Sequence, residues 1–229
     1  MNKISFIGSC SFRTYFYLQA LKNNNIYLEK VIIYDYKPLD LSKFLNQKII
    51  YKDFSIHIED SLDSLFNFYN AQIIEKDSIS DMEEEIKNIQ TDFFIFCGKG
   101  GEIVKEHILK LNKFLHIHPG KLPSYRGSTT IYYSLLKESK CFASAFFLDI
   151  KIDTGNIIKQ MEFDILNIDI DYLYDPFIRS FLLIDVLRNS DLCACKQTED
   201  SKEYYIIHPL LKKLALLKKE RILRNEKNF

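Results

Sequence analysis

The chain alternates short apolar runs with amphipathic stretches, and the order of these predicts the fold class. Residues 3–8, Lys-Ile-Ser-Phe-Ile-Gly, read as a first strand, followed by a polar turn from Ser9 to Arg13 and a helix from Tyr15 to Leu21. Lys30 to Tyr34 is a β-branched run and a second strand. Asp60 to Tyr69 and Asp81 to Ile89 have helical periodicity, with a short strand, Ala71 to Ile74, between them. Asp92 to Cys97 is an apolar run closed by glycine, as expected of a strand buried on both faces of a parallel sheet. Glu102 to Leu111 reads as a helix and Lys113 to His118 as the next strand. Strands alternating with helices predict an α/β fold with a mainly parallel sheet.

After Pro119 the pattern changes. Thr129 to Glu138 reads as a helix. Phe142 to Ile150 and Gly155 to Phe163 read as two strands around a loop, Lys151 to Thr154. Ile170 to Arg188 has helical spacing interrupted by Pro176. The tail opens with a strand-like Tyr204-Tyr205-Ile206-Ile207, where His208 reads as structural, and closes in a basic amphipathic helix. From His208 onward it holds seven Lys/Arg against Glu220 and Glu226. Its bland reading is a solvated face; the sharper one is a helix that packs on a partner or on a second copy.

Composition narrows the class. At 229 residues the chain is long enough for one domain or one with a modest extension. Lys+Arg and Asp+Glu both number 31, so the chain lacks the basic excess of a dedicated nucleic-acid binder. No apolar run reaches the roughly 18 residues of a membrane span, and Met1 to Gly8 is too short for a signal-peptide core. Five cysteines, Cys10, Cys97, Cys141, Cys193 and Cys195, are an odd set mostly within or beside apolar runs, which fits a reduced, cytoplasmic setting.

Six of the seven glycines fall between Gly98 and Gly155, which marks that region as one where backbone turns sharply or approaches something closely. At its centre stands Leu115-His116-Ile117-His118-Pro119-Gly120-Lys121-Leu122-Pro123-Ser124-Tyr125-Arg126-Gly127. Residues two apart on a strand share a face, so His116 and His118 project together at the carboxyl end of a strand, where open α/β sheets place their ligands. Downstream, Ile152-Asp153-Thr154-Gly155-Asn156-Ile157-Ile158 sets an acidic residue on a turn between two apolar strands. From the residues alone three readings stand: surface histidines beside an ordinary turn, a His-x-His plus Asp zinc site, and a histidine oriented by an aspartate for acid–base chemistry. Gly8-Ser9-Cys10-Ser11 follows the first strand and either turns into the helix or holds a phosphate on backbone N–H groups. It is not the Gly-x-Gly-x-x-Gly dinucleotide fingerprint. Tyr125, Tyr132 and Tyr133 read either as a stacking surface for a base or hexose, or as core.

His-Pro-Gly-Lys-Leu-Pro-Ser-Tyr-Arg-Gly followed about 26 residues on by Asp-Thr-Gly-Asn-Ile-Ile resembles the N10-formyltetrahydrofolate-dependent formyltransferases, closest in type to the sugar N-formyltransferases. The resemblance covers about residues 1 to 165. It implies a Rossmann-like formyltransferase domain over 1–165, with a mainly parallel sheet and helices on both faces, and a short, mostly helical C-terminal extension over 166–229. It further implies a reduced folate as formyl donor and an amine as acceptor. By position, His118 and Asp153 match the family's catalytic histidine and aspartate. The catalytic asparagine falls on His116, a departure that puts the oxyanion contact in question, although an imidazole N–H also donates. The pterin grip maps to Gly101, Glu102, Ile103, Asp149, Ile150 and Asp153, and the acceptor's phosphate to Gly8, Ser9 and Ser11, with Tyr125 beside it. No metal is implied. The expected acceptor is a UDP- or dTDP-linked 4-amino-4,6-dideoxy sugar, as used in polysaccharide biosynthesis, with no nucleic acid or membrane partner and a homodimer as an open option. Alternatives are a small amine of the glycinamide ribonucleotide type, or a non-catalytic folate- or nucleotide-binding paralogue.

Overall fold

The computed structural model describes residues 2–59, 61–197 and 201–226. Met1, Asp60, at which a helix was expected to start, and residues 198–200 and 227–229 of the expected helical extension lie outside the described residues. The fold is α/β with a mainly parallel sheet, and packing divides the chain into two compact units, Met1–His116 and Ile117–Phe229. This is a division by packing. The expected boundary at 165–166 is a functional one and stays a proposal.

In the first unit the strands are β1 (Ile4–Ser9), β2 (Val31–Tyr34), β3 (Lys48–Tyr51), β4 (Phe54–His57), β5 (Gln72–Ile74), β6 (Phe93–Cys97) and the start of β7 (Phe114–His118). The helices are α1 (Phe12–Asn23), α2 (Leu62–Phe68), α3 (Glu83–Lys87) and α4 (Glu106–Leu109). β7, β6, β1, β2 and β5 run side by side in that order, each pair parallel. β1 and β6 are buried almost throughout, which explains their unbroken apolar sequence. The antiparallel β3–β4 hairpin was not anticipated. Its turn uses Lys52 at φ +55° rather than the Asn-Gly or Asp-Gly pair that signals such hairpins. α4 is four residues long, not the ten expected from Glu102, because Glu102 is committed to neighbouring loop groups described below.

The second unit takes over within β7 and adds β8 (Arg126–Gly127), α5 (Thr130–Glu138), β9 (Cys141–Phe147), β10 (Ile157–Phe163), α6 (Asp175–Asn189), β11 (Glu203–Tyr204) and α7 (Pro209–Glu226). β10 and β9 pair antiparallel with β9 next to β7, while β11 pairs parallel with β8. The two strands expected to reach Ile150 and to restart at Gly155 stop at Phe147 and resume at Ile157. Gly155 passes so close to β9 that a Cβ there would lie 1.7 Å from the Phe147 carbonyl oxygen, so this loop is wide and tightly packed. Pro176 makes no break inside α6. It sits in the first turn, where its missing N–H costs nothing, after a wide π turn at Ile170–Tyr174. Among the described residues no helix is long and apolar enough to cross a membrane.

Candidate active site

In the second unit β7 ends on His118, which is 3% exposed, and Pro119 stops the ladder. Nε2 of His118 lies 2.7 Å from the Tyr125 carbonyl and 3.1 Å from Thr130 Oγ1. The Thr130 hydroxyl donates to the Pro119 carbonyl at 2.9 Å. Both neighbours of Nε2 are therefore acceptors, and Nε2 carries the hydrogen. That leaves Nδ1, which faces Asp153 Oδ2 at 3.3 Å. Burial pushes the ring's pKa below the ordinary histidine value, with Arg179 acting in the same direction and Asp153 pulling back. The outcome is a neutral ring whose Nδ1 lone pair is free to take up a proton, beside a carboxylate positioned to stabilise the ring once it is charged.

The frame around this pair is made from the local sequence. Gly120 is required: a Cβ would meet the Tyr125 carbonyl at 2.6 Å, His118 Nε2 at 2.8 Å and Thr130 Oγ1 at 2.9 Å. The 119–125 loop is held by Ser144 Oγ, which donates to the Gly120 carbonyl at 2.5 Å and accepts from Leu122 N–H at 3.2 Å. Gln160 Nε2 adds a bond to the Leu122 carbonyl at 2.7 Å. Asp153 is a non-glycine residue in the left-handed region, φ +53°, and its turn is locked by Gln197 Nε2 on the carbonyls of Asp153 and Gly155 at 2.9 and 2.8 Å. Its Oδ2 also accepts from Gly127 N–H at 2.7 Å. Below the strand end, the buried Arg179 pairs with Asp175 at 2.8 Å and donates to the Ile117 carbonyl.

The structure brings His118 and Asp153 together, and of the two readings of Tyr125 it agrees with core rather than with an acceptor contact. Tyr125 is buried, stacked on Tyr204 at 5.6 Å between centroids, and it is the Tyr125 backbone carbonyl that meets His118. Asp149 and Ile150 are exposed on the loop leading to Asp153. Thr130, Gly120, Ser144, Gln160, Gln197 and Arg179 were not singled out from sequence. Arg179 left a signal, a lone charge inside the apolar run Pro176 to Leu183, while Thr130 left none.

In the first unit the other candidates gather at the carboxyl ends of adjacent strands. Gly8 is in register with Cys97, and a Cβ there would lie 2.9 Å from the Cys97 carbonyl oxygen. Ser9 is buried, and Ser11 caps α1, its Oγ accepting from Thr14 N–H at 3.1 Å. Arg13 ties this turn to the next loop by donating to the Gly98 carbonyl at 2.8 Å. There, the Glu102 carboxylate accepts from Ser78 Oγ and Ile79 N–H at 3.0 Å each, from Lys99 N–H at 3.1 Å and from the Tyr34 hydroxyl. Gly101, at φ +78°, and Ile103 are exposed on the same loop. His116 Nδ1 lies 3.2 Å from the Phe96 carbonyl, so Nδ1 carries its hydrogen there. A second N–H on that ring requires its protonated form. Among the described residues no group of three or more His, Cys, Asp or Glu is placed to hold a metal ion.

A sequence model described as formyl transferase matches residues 3–174, and the chain belongs to that family. It is 26% identical over 194 residues to a methionyl-tRNA formyltransferase from Helicobacter pylori strain P12, which covers 82% of this chain and 60% of that protein. The chain thus spans about 60% of the length of that curated relative. Its fold is similar to that of a sugar N-formyltransferase from Shewanella, at 16% identity, TM-score 0.57, covering 95% of this chain and 87% of the other. It also resembles a sugar 3N-formyl transferase solved with dTDP and 5-N-formyl-THF, at 23% identity, TM-score 0.55, covering 90% and 69% of the two chains.

Proposed function

We propose that the protein is an N-formyltransferase that moves the formyl group of N10-formyltetrahydrofolate to the amine of a nucleotide-linked 4-amino-4,6-dideoxy sugar. The observation that carries the reading is the His118–Asp153 pair at the end of β7, with one histidine nitrogen spent on the fold and the other turned to the carboxylate. As the amine attacks the formyl carbon, Nδ1 of the neutral His118 ring takes up its proton, and the imidazolium so formed stabilises the negative charge growing on the carbonyl oxygen. Asp153, facing Nδ1 at 3.3 Å, stabilises that imidazolium. His118 then gives this Nδ1 proton to the departing folate nitrogen as the C–N bond breaks. One proton passes from amine to folate nitrogen, and both side chains return to their starting states. Asp149 and Ile150, exposed before Asp153, are this unit's proposed contacts to the pterin.

The sugar acceptor is supported by the likeness in fold to sugar N-formyltransferases over nearly the whole chain and by the balanced charge. A methionyl-tRNA acceptor is the second reading, favoured by the curated relatives. The test is incubation with N10-formyltetrahydrofolate and, separately, UDP- and dTDP-4-amino sugars, glycinamide ribonucleotide and methionyl-tRNA, following tetrahydrofolate release. Turnover on a sugar nucleotide that disappears in Asp153→Asn is the expected result. Turnover on tRNA alone replaces the acceptor, and folate binding without turnover on any amine overturns the enzyme reading.

A further inference from the structure

The last helix presents two unlike faces. Its inner face is fixed to the second unit: Ala215 is fully buried, Lys212 pairs with Asp171 at 2.5 Å and lies 5.1 Å over the Tyr132 ring, and Lys218 donates to the Leu136 carbonyl at 2.6 Å. Lys219 donates to the Ile168 carbonyl. The outer face is apolar where a solvated helix is polar. Leu210, Leu214 and Leu217 are 68%, 53% and 52% exposed, and Tyr205 and Ile206, just upstream, are 75% and 80% exposed. These last two are not loose ends. Their backbone is pinned to α5 and its entry by Ser128 N–H on the Tyr204 carbonyl at 2.7 Å, the Tyr133 hydroxyl on the Tyr205 carbonyl at 3.2 Å and Ile207 N–H on Thr129 Oγ1 at 2.9 Å. The fold therefore holds these five apolar side chains outward, and apolar groups gathered on a surface mark interaction sites.

We infer that this face docks a second copy of the chain, the two α7 helices lying antiparallel about a twofold axis. Three features favour a copy of the same helix. Positions 210, 214, 217, 221 and 224 step by four and three, the seam spacing of paired helices. An apolar seam is self-complementary, as a twofold interface requires. On one flank of the seam stand Lys213 and Glu220, seven residues apart and both exposed. In an antiparallel pair the same flanks meet, so Lys213 of each copy faces Glu220 of the other, twice by symmetry; in a parallel pair they do not meet. Among the described residues Glu220 makes a loose contact of 3.8 Å to Arg224. Arg221 and Arg224 continue the seam with their aliphatic stems. The helix offers about 27 Å of length for this pairing, eighteen residues at about 1.5 Å each.

The test is the association state of the full chain by sedimentation across a concentration series. The expected result is a dimer whose dissociation constant rises roughly a hundredfold or more in Leu214→Glu/Leu217→Glu, with the circular dichroism of the wild type retained because both sites are solvent-facing. Lys213→Glu weakens the dimer roughly tenfold through its two symmetric contacts, and Lys213→Glu/Glu220→Lys restores it. A wild-type monomer up to the solubility limit overturns the inference. So does a dimer indifferent to the leucine pair, or a charge reversal that the double swap fails to rescue. Binding to anionic lipid vesicles without self-association assigns the face to a membrane surface and overturns it as well.

Discussion

In the first unit the polar side chains near the candidate loops are absorbed by the fold. Ser11 caps α1 and the Glu102 carboxylate takes donors from Tyr34, Ser78, Ile79 and Lys99. In the second unit His118 and Asp153 each spend hydrogen-bonding capacity on backbone yet are aimed at one another. Side chains used up in this way shape a surface, whereas side chains anchored on one edge keep a defined edge for chemistry. The same polar residue types thus serve as scaffold in one unit and as candidate reagents in the other.

This contrast can be broken by mutation, and the largest effects belong to the second unit. Asp153→Asn keeps an acceptor for Gly127 N–H but removes the carboxylate that stabilises the charged His118 ring. Its kcat for formyl transfer is expected to fall roughly 1000-fold, with stability changed little. A variant within tenfold of wild type would move the chemistry elsewhere. In the first unit Glu102→Ala is expected to act on stability instead. It leaves the buried Tyr34 hydroxyl and two backbone N–H groups without their acceptor, which costs about 2–4 kcal/mol in denaturant melts. Thr130→Val removes one acceptor at His118 Nε2 and the donor to Pro119. It is expected to cost about 1–2 kcal/mol and to lower kcat more than it changes KM, because the ring loses its fixed orientation. Ser11→Ala loses a helix cap, about 1 kcal/mol in denaturant melts.

The pH dependence of stability carries the smallest signal. The folded pKa of His118 is depressed by burial. As pH falls below about 6.5, the unfolded chain binds a proton that the folded one resists, so stability declines on the acid side of that value. His118→Asn should flatten that slope between about pH 6.5 and 5 in thermal melts.

Much of the fold was legible because parallel strands are continuous apolar runs. β1, β2, β6 and β7 were placed to within a residue or two, since Ile4–Gly8 or Phe93–Cys97 permits little else. The β3–β4 hairpin was not, because Lys52 adopts a left-handed turn that its side chain does not advertise. Helix α4 was over-extended because Glu102 has good helix propensity but is held by partners at residues 34, 78 and 79, far away in sequence. The site shows the same limits. The strand end before Pro119 and the Asp-Thr-Gly turn drew attention to His118 and Asp153, and the resemblance to the formyltransferase motifs implied their roles. No pattern marked Thr130, whose role is set by where α5 begins, or showed that Tyr125 contributes its carbonyl rather than its ring.

The most direct measurement is single-turnover formyl transfer from N10-formyltetrahydrofolate to a sugar nucleotide found active in the panel, comparing wild type with Asp153→Asn. The account predicts that the variant still binds folate while its transfer step slows about a thousandfold. Transfer at the wild-type rate in a variant shown to be folded would contradict it.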